Sequence, residues 1–550
     1  MMKRCLFTLL LIVDVACLFC YGQDSEISIE RAESFSRMAE FYYTANNYDK
    51  AIEYESQALR IQDSIFGNNS IQYASSSLNI AKYYYARGCN GTLPSSNDFS
   101  NAITYLTIAM NTIKGTLLRG FYEMNSQERY QIWQSINNLF DSTFPSYVAK
   151  NQNDSTISDL YNSILFSKGI TWKEESSRTT TWKDIQYKLQ EGDIAIEFIS
   201  PVTPESDNVI FYALTIKKEY KAPHMIKLFD IWQVQDSLLN CSSMEEKNLK
   251  VGKLIWQALS EDLVGIDNVY FSPTHILHNI PIEYLPKNNN EYYCDQFSFF
   301  RLSSTVELAK PRVKKQFKKA ILYGGLEYGF FPGYNNIEDN NRSGFEPLYN
   351  TNTEISEIKD ILEKVGIQCT SYTGVNGNEY SFKKLSEQEF EILHLATHGT
   401  WVKTDIPKNE TNALSGSFLV LSEANKITDD SNNDGRITAL EISTLGFNNI
   451  ELVVLSACES ALGEYGFDDG LLGLQRGFKI AGAKTILMSL DKVDDEATGI
   501  LMVEFYRNLM SGKTKCQSLK EAQQYLRKVD NGKYDDPKYW ASFIMLDGID

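Results

Sequence analysis

Two segments near the C-terminal end of the chain carry residues capable of covalent chemistry. Residues 390–399 (FEILHLATHG) and 451–460 (ELVVLSACES) are mostly apolar runs that stop at polar residues. This pattern is typical of a buried parallel strand whose C-terminal tip carries a functional group. Ligands bind at the carboxyl ends of strands in open α/β sheets, so neighbouring strands would place His398 and Cys458 in one crevice. A cysteine nucleophile, a histidine base and a backbone oxyanion hole are the parts of a cysteine peptidase.

Each of these residues also has a structural alternative. Cys458 could be a buried core cysteine at the end of a strand. His394 is expected to point to the same face as His398, but it lies in the middle of the strand, where a histidine usually packs. His398 precedes Gly399, which would let a substrate approach the backbone closely. His398 is therefore the predicted base, and the N–H groups of Gly399 and Cys458 are the predicted oxyanion hole.

The same motifs carry a family resemblance. From about residue 160 to its end the chain resembles CHAT-domain proteins, in the caspase-like superfamily of cysteine peptidases that includes separase. Asp491 departs from the family pattern, because it stands where the family usually has tryptophan, and this affects the pocket wall more than the chemistry. Besides the two segments above, the resemblance rests on residues 270–273, 278–281, 301–304, 463, 470–474, 481–483, 493–498 and 539–543.

The resemblance to separase also implies a specificity. An acidic residue at the position of Asp494 and Asp495 would form the primary pocket, and a carboxylate pairs best with an arginine or lysine of the substrate. Cleavage after a basic residue is therefore expected. The alternative is that these carboxylates cap the N-terminus of the following helix, which Asp also favours.

Residues 430–441 match the spacing of an EF-hand calcium loop. The predicted ligand positions are Asp430, Asn432, Asp434, Arg436 and Glu441, with a glycine at position six. The alternative is structural, because residues 438–441 also form a capping box and the preceding segment resembles a strand rather than an entering helix. No cofactor is required for the predicted chemistry, and calcium is a candidate ligand.

Composition limits the classes of partner. The chain has 550 residues, a formal net charge of −18 and a pI of about 4.9. Such an acidic chain argues against nucleic acid or an anionic membrane as the main partner, because phosphate binding needs a basic face. The expected partner is a protein or peptide substrate. The cysteines show no paired spacing, so neither a zinc site nor a disulfide framework is indicated.

The N-terminus reads as a secretory signal peptide over residues 1–22. Lys3 and Arg4 precede an apolar stretch that ends near Gly22, and cleavage there is expected. An uncleaved anchor or a lipoprotein is the alternative. The signal predicts export to the periplasm or cell envelope of a bacterium, with no membrane span after its removal.

The remaining chain is predicted to be α + α/β. Residues 28–170 resemble tetratricopeptide repeats, with small residues where paired helices touch, and a plain helical bundle is the alternative. Residues 186–310 resemble the non-catalytic half of a CHAT domain and residues 318–550 its caspase-like catalytic half. Alternation of strands and helices there implies a mostly parallel sheet with helices on both faces.

Together these features predict an exported caspase-like cysteine endopeptidase whose helical repeats bind a protein partner or regulate access. The alternative is a non-catalytic interaction scaffold that keeps the peptidase fold. Retention of Cys458, His398 and Gly399 favours the enzyme, because a decayed site should lose one of them.

Overall fold

The computed structural model describes residues 23–91, 96–120, 124, 126–168, 170, 179–203, 208–239, 243–289, 291–311, 316–329, 344–401, 414–426, 433–447, 450–457, 463–466 and 470–550. The predicted signal peptide, residues 1–22, lies outside them. The chain divides into two compact units. The first comprises Met1–Gln186 with Glu197–Asp236, and the second comprises Tyr187–Ile196 with Ser237–Asp550.

The first unit begins with antiparallel helices that pack in sequence order. Polar caps separate them: the Asn47 side chain accepts from the Lys50 N–H, and the Ser70 side chain accepts from the Tyr73 N–H. Fully buried alanines, among them Ala39, Ala51 and Ala81, lie where the helices meet. This confirms the predicted helical repeats. The helices are α1 (Gln23–Thr44), α2 (Tyr48–Phe66), α3 (Ile71–Asn90) and α4 (Ser96–Gly120).

Shorter helices and a β-hairpin complete the first unit. The Asn153 side chain caps one helix and forms a reciprocal capping box with Thr156. These helices are α5 (Ser126–Asn138), α6 (Phe144–Lys150), α7 (Asp154–Ser167) and α8 (Trp182–Lys188). Helix α8 and strand β1 (Asp193–Ile199) each cross the boundary between the two units. The antiparallel hairpin consists of β2 (Ile210–Lys217) and β3 (His224–Asp230), and it is followed by α9 (Ile231–Leu239).

The second unit is built on a mostly parallel sheet. Its strands are β4 (Asn268–Ser272), β5 (Ser298–Arg301), β6 (Lys319–Leu326), β7 (Gln368–Gly374), β8 (Ile392–Ala396), β12 (Leu452–Ser456), β15 (Thr485–Ser489) and β16 (Phe543–Leu546). The strand order is β4-β5-β16-β15-β12-β8-β6-β7, and the β15–β16 pair is antiparallel. A small antiparallel sheet of β9 (Gly399–Trp401), β10 (Ser417–Val420) and β11 (Arg436–Thr438) and a ribbon of β13 (Gly463–Gly466) and β14 (Gly470–Gly473) accompany it.

Helices cover both faces of this sheet. The helices of the second unit are α10 (Met244–Gly252), α11 (Tyr293–Gln296), α12 (Thr351–Lys364), α13 (Glu379–Lys383), α14 (Ala439–Ser443), α15 (Leu474–Ile480), α16 (Asp495–Met510), α17 (Lys515–Leu526) and α18 (Pro537–Trp540). Apolar residues of α12, α16 and α17 form the core on one face, and those of α13, α14 and α15 form the core on the other. Alternate residues of β8 enter the two cores, as the period of a strand requires.

The predicted fold class is confirmed: a helical N-terminal region precedes a mostly parallel sheet with helices on both faces. The apolar runs at β8 and β12 are fully buried strands, as their composition indicated. None of the helices in the described part of the chain is both long and apolar enough to cross a membrane.

Buried Arg301, in one of the upstream motifs, forms an ion pair and also binds the main chain of another of these motifs. The Arg301 guanidinium donates to both carboxylate oxygens of Glu283, at 2.9 and 2.6 Å. It also donates to the Ile280 carbonyl at 2.7 Å. Arg301 therefore fixes residues 278–281 against the end of β5, so these motifs have a structural role.

Candidate active site

The register of two neighbouring strands defines the candidate site. β8 and β12 are parallel, and Ile392 pairs with Leu452 while Ala396 pairs with Ser456. Both strands therefore end at the same edge of the sheet. His398 follows Ala396 by two residues, and the predicted nucleophile Cys458, which follows Ser456 by two residues, lies outside the described residues.

His398 lies in the short break between β8 and β9 and is partly exposed. Its carbonyl accepts a hydrogen bond from the Val420 N–H at 2.9 Å, which ties the break to the end of β10. Its Nε2 atom lies 2.7 Å from the carbonyl oxygen of Glu346. A carbonyl only accepts hydrogen bonds, so Nε2 carries the proton in this arrangement and Nδ1 is the nitrogen able to accept one.

Two aromatic rings border the imidazole. The ring centroids of Tyr328 and Phe345 lie 5.1 and 5.7 Å from that of His398. The Tyr328 hydroxyl is within 2.9 Å of the Thr397 hydroxyl. Burial raises the pKa of Tyr328 to about 12, although the bond to Thr397 lowers it. Tyr328 is therefore neutral at physiological pH and serves as a wall of the site rather than as a base.

His394 lies on the opposite side of the sheet, so the expectation that it shares a face with His398 was wrong. Its Nε2 atom is 2.9 Å from Glu354 Oε1 on α12, and its Nδ1 atom is 3.4 Å from the Tyr506 hydroxyl on α16. The strand ends at Ala396 and a bend follows, which breaks the alternation between the two histidines. The side chain of His394 is fully buried, in agreement with the packing role expected for it.

Gly399 opens β9 and is the register partner of Leu419 in β10. It is buried and directly follows His398. Its predicted role in an oxyanion hole stays a prediction, because the second donor, the Cys458 N–H, lies outside the described residues.

The two acidic residues of the predicted pocket have different surroundings. Asp494 is exposed and is the N-cap of α16, where its carboxylate accepts from the Ala497 N–H at 2.9 Å. Asp495 is partly buried and accepts from the Asn350 N–H at 3.3 Å. Burial raises the pKa of Asp495, the Asn350 N–H lowers it, and the charge of Glu354 raises it further. Asp494 therefore has a capping role, and Asp495 is the less exposed of the two carboxylates.

Only part of the predicted calcium loop is described: Asp430 and Asn432 lie outside the described residues. Asp434 accepts from the Arg436 N–H at 2.9 Å, and Arg436 begins β11 rather than continuing a loop. Glu441 forms a capping box with Thr438. One carboxylate oxygen of Glu441 accepts hydrogen bonds from the Thr438 N–H at 2.9 Å and from the Thr438 hydroxyl at 2.8 Å.

The other carboxylate oxygen of Glu441 lies 2.9 Å from Lys383 Nζ. Both oxygens that would bind calcium at position twelve thus have partners within the protein, and the calcium loop stays a prediction because Asp430 and Asn432 lie outside the described residues. Among the described residues, no group of three or more His, Cys, Asp or Glu side chains is arranged to hold a metal ion.

Sequence reasoning missed the residues that surround His398. Glu346 acts through its backbone carbonyl, which any residue type would supply, so composition gives no signal for it. Tyr328 and Phe345 flank a stretch whose pattern is that of a polar loop. Only the proximity of these residues in the fold identifies them.

Comparison with known proteins agrees with the motifs. The profile of the CHAT domain family matches residues 249–548, more than half of the chain, and confirms the family predicted above. Tetratricopeptide repeat protein 28 of Mus musculus is 29% identical over 176 residues, and that of Homo sapiens is 27% identical over 177. Each alignment covers 28% of this chain and 7% of the relative, so the chain spans a small part of their length.

Solved structures are similar at low identity. A structure of the Saccharomyces cerevisiae separase–securin complex aligns with 94% of this chain and 46% of its own, with a TM-score of 0.43 and 10% identity. The Arg-specific cysteine proteinase gingipain R aligns with 54% of this chain and 66% of its own, with a TM-score of 0.34 and 9% identity.

Proposed function

We propose, because this chain belongs to the CHAT domain family, that it is a cysteine endopeptidase in which Cys458 is the nucleophile and His398 the general base. The His398 Nδ1 atom would take the proton of the Cys458 thiol, and the thiolate would attack the substrate carbonyl. The resulting imidazolium would then protonate the leaving amine. Water would hydrolyse the acyl-enzyme, with His398 again accepting the proton.

The parallel register of β8 and β12 is the observation that carries this proposal. Ala396 and Ser456 are register partners, and each precedes its predicted catalytic residue by two positions. Two residues span at most about 7 Å of chain, and this short reach supports a position for both predicted catalytic residues near one edge of the sheet. The hydrogen bond from His398 Nε2 to Glu346 supports the assignment further, because it selects the tautomer that a base needs.

Asp495 supports the second part of the proposal, cleavage after a basic residue. Its carboxylate is held by the backbone of Asn350, four residues after the Glu346 carbonyl that binds His398. The segment from Phe345 to Asn350 therefore connects the base to the proposed pocket. A partly buried carboxylate would pair with a substrate arginine or lysine.

The location and partners of the enzyme form a further part of the proposal. The signal pattern of residues 1–22 supports export to a bacterial envelope, and mass spectrometry of the mature N-terminus at Gln23 would test it. The stacked helices α1 to α4 would bind a protein partner, since helical repeats offer extended recognition surfaces.

Hydrolysis of fluorogenic peptides that end in Arg, Lys or Asp tests the activity. The mature chain should cleave after Arg or Lys, and Cys458→Ala should abolish turnover while unfolding at the same urea concentration. Turnover that persists in the Cys458→Ala variant would contradict the proposed nucleophile. Absence of turnover in the wild-type chain, with and without candidate partners, would favour the non-catalytic scaffold.

Calcium dependence is tested in the same assay. The occupied oxygens of Glu441 lead us to expect equal rates in calcium and in chelator. A rate that falls in chelator and returns with calcium would assign a metal role to the loop.

A further inference from the structure

We infer that Asn425 is a positioning residue for His398, acting through the main chain of Phe345 and Glu346. Its catalytic consequence rests on the proposed function, whereas its effect on the imidazole does not. Asn425 lies in the turn that follows β10 and is 8% exposed. No feature of its sequence neighbourhood connects it to the histidine.

The Asn425 carboxamide binds both main-chain groups of Phe345. Its Oδ1 atom accepts from the Phe345 N–H at 2.8 Å, and its Nδ2 atom donates to the Phe345 carbonyl at 2.9 Å. The second Nδ2 hydrogen donates to the Gly329 carbonyl at 3.2 Å. The side chain thus pairs with Phe345 as the backbone of a neighbouring strand would, and fixes this peptide in position and orientation.

The next carbonyl along the chain is the one that binds His398. Glu346 directly follows Phe345, and its carbonyl accepts from His398 Nε2 at 2.7 Å. Rotation of the Phe345–Glu346 segment would move this oxygen away from the ring. The Asn425 side chain therefore controls where the acceptor of the His398 proton lies.

The turn that carries Asn425 is itself held rigidly. The Asn425 N–H donates to the Tyr328 carbonyl at 2.8 Å, and the Glu423 N–H donates to the Glu327 carbonyl at 2.9 Å. Gly435 packs against Ala424 so closely that an added Cβ would lie 2.5 Å from its backbone. The three side-chain bonds of Asn425, called the Asn425 clamp here, are thus anchored on Glu327 and Tyr328, which directly follow β6. Tyr328 also borders the imidazole.

Asparagine is the residue type that this arrangement needs. One acceptor and two donors on a short side chain meet one N–H and two carbonyls. Alanine would remove all three bonds. Aspartate would keep the acceptor but place carboxylate oxygen against two carbonyls, so it would remove the donor half of the clamp.

Loss of the clamp should release the ring of His398. A displacement of about 1 Å at a catalytic group costs on the order of 100-fold in rate. We therefore expect Asn425→Ala to lower kcat about 100-fold while KM changes little, because the residue does not contact substrate. The imidazole should also lose its preference for the Nε2–H tautomer.

The experiment measures the tautomer of His398 by NMR on the full chain with ¹⁵N-labelled histidine. The chain has five histidines, and a His398→Gln variant assigns the signal. The wild-type chain should show the Nε2–H form, and Asn425→Ala and Asn425→Asp should show a mixture of the two tautomers. Asn508→Ala is the matched control, because Asn508 lies on α16, is 7% exposed, and its side chain accepts from Lys513 Nζ rather than binding this segment.

The result that would overturn the inference is a folded Asn425 variant that keeps the wild-type tautomer. If Asn425→Ala fails to fold, Asn425→Asp decides the question, and an Nδ1–H form in the wild-type chain would also overturn the inference. Because the tautomer is read without turnover, an inactive wild-type chain with the expected tautomers would reject the proposed peptidase and leave the positioning role of Asn425 intact.

Discussion

His398 Nε2 lies 2.7 Å from the carbonyl oxygen of Glu346, a residue 52 positions earlier in the chain. This bond gives the histidine a defined tautomer without any second ionisable side chain. The cysteine and the histidine are recognisable in the sequence, whereas the orienting group is a backbone oxygen that only the structure brings to the ring. The electrostatics of the site thus differ from those of a triad with a carboxylate, because the third group carries no full charge.

Replacing His398 by glutamine should keep the hydrogen bond to Glu346 while removing the group that accepts a proton. The glutamine amide can still donate to Glu346, but it cannot act as a base at neutral pH. We expect kcat to fall by about 10²- to 10⁴-fold, the range for losing a general base, with an unchanged urea midpoint. Steady-state kinetics on an Arg peptide measure this, and turnover within about threefold of wild type would refute the assigned role.

His394→Ala should affect stability. The substitution leaves the Glu354 side chain buried in the core without its imidazole partner, and a buried polar group that loses its hydrogen-bond partner costs about 1–3 kcal/mol. Urea unfolding of His394→Ala and His398→Ala gives the comparison, since the partly exposed His398 should cost about 1 kcal/mol or less. Equal losses in the two variants would show that the buried pair does not stabilise the core.

Asp495→Asn should lower kcat/KM for Arg and Lys peptides by about 10- to 100-fold, the effect of losing a charged hydrogen-bond partner. The pKa of Asp495 is raised above its usual value of 3.8, first by burial. Its charged form is the one that binds a basic side chain, so the wild-type rate should increase as pH rises through this pKa. The stability contribution of the group has the opposite sign: it is present below pH 3.8 and is lost as pH rises through the folded-state pKa.

The matched control for this pocket is Asp494→Asn, which keeps a capping residue at the start of α16. It should leave the preference for basic residues unchanged. A pH–rate profile that is identical for wild type and Asp495→Asn would exclude Asp495 from the pocket.

Glu55 should make the stability of the helical repeats depend on pH. It is fully buried, and burial raises its pKa above the usual 4.5, although hydrogen bonds from Ser76, Asn79 and Ser36 lower it. The stability that it contributes is therefore fully present below pH 4.5 and is lost as pH rises through the folded-state pKa. Glu55→Gln should increase the stability of the repeats at pH 7, because it removes the charge that burial disfavours.

Hydrogen exchange of peptides from α2 measures this locally. Protection should fall between pH 4.5 and pH 7 in the wild-type chain, after correction for the intrinsic exchange rate, and should stay constant in Glu55→Gln. Faster exchange of the variant at pH 7 would mean that the carboxylate is stabilising, contrary to the expected sign.

The elements that could be predicted are those with a regular apolar pattern. β8 and β12 are short runs of buried residues between polar ends, and α1 to α4 carry alanines where they touch, so both were visible in the sequence. His398 was also visible, because it ends an apolar run and precedes a glycine. The opposite orientation of His394 was not, since it depends on a bend after Ala396 that the alternating pattern does not encode.

The surroundings of His398 could not be predicted for a different physical reason. Glu346 contributes a backbone carbonyl. Asn425 contributes a carboxamide from a turn that lies 79 residues after Glu346 in the chain. Neither interaction produces a periodic pattern of residue types in the sequence. The capping role of Asp494 could not be told from a pocket role in the sequence, because a helix N-terminus and a basic substrate favour the same residue type.

Covalent labelling tests the central claim most directly. A peptidyl-arginine chloromethyl ketone forms a thioether with a thiolate, and mass spectrometry identifies the modified cysteine. Burial raises the pKa of Cys294 and Cys516 to about 12 and that of Cys369 to about 11, so these thiols should stay unmodified at pH 7.5. We expect stoichiometric labelling of Cys458 that is lost in His398→Gln and suppressed by an excess of Arg peptide. Labelling of Cys458 that is absent in the wild-type chain, or equally fast without His398, would contradict the central claim.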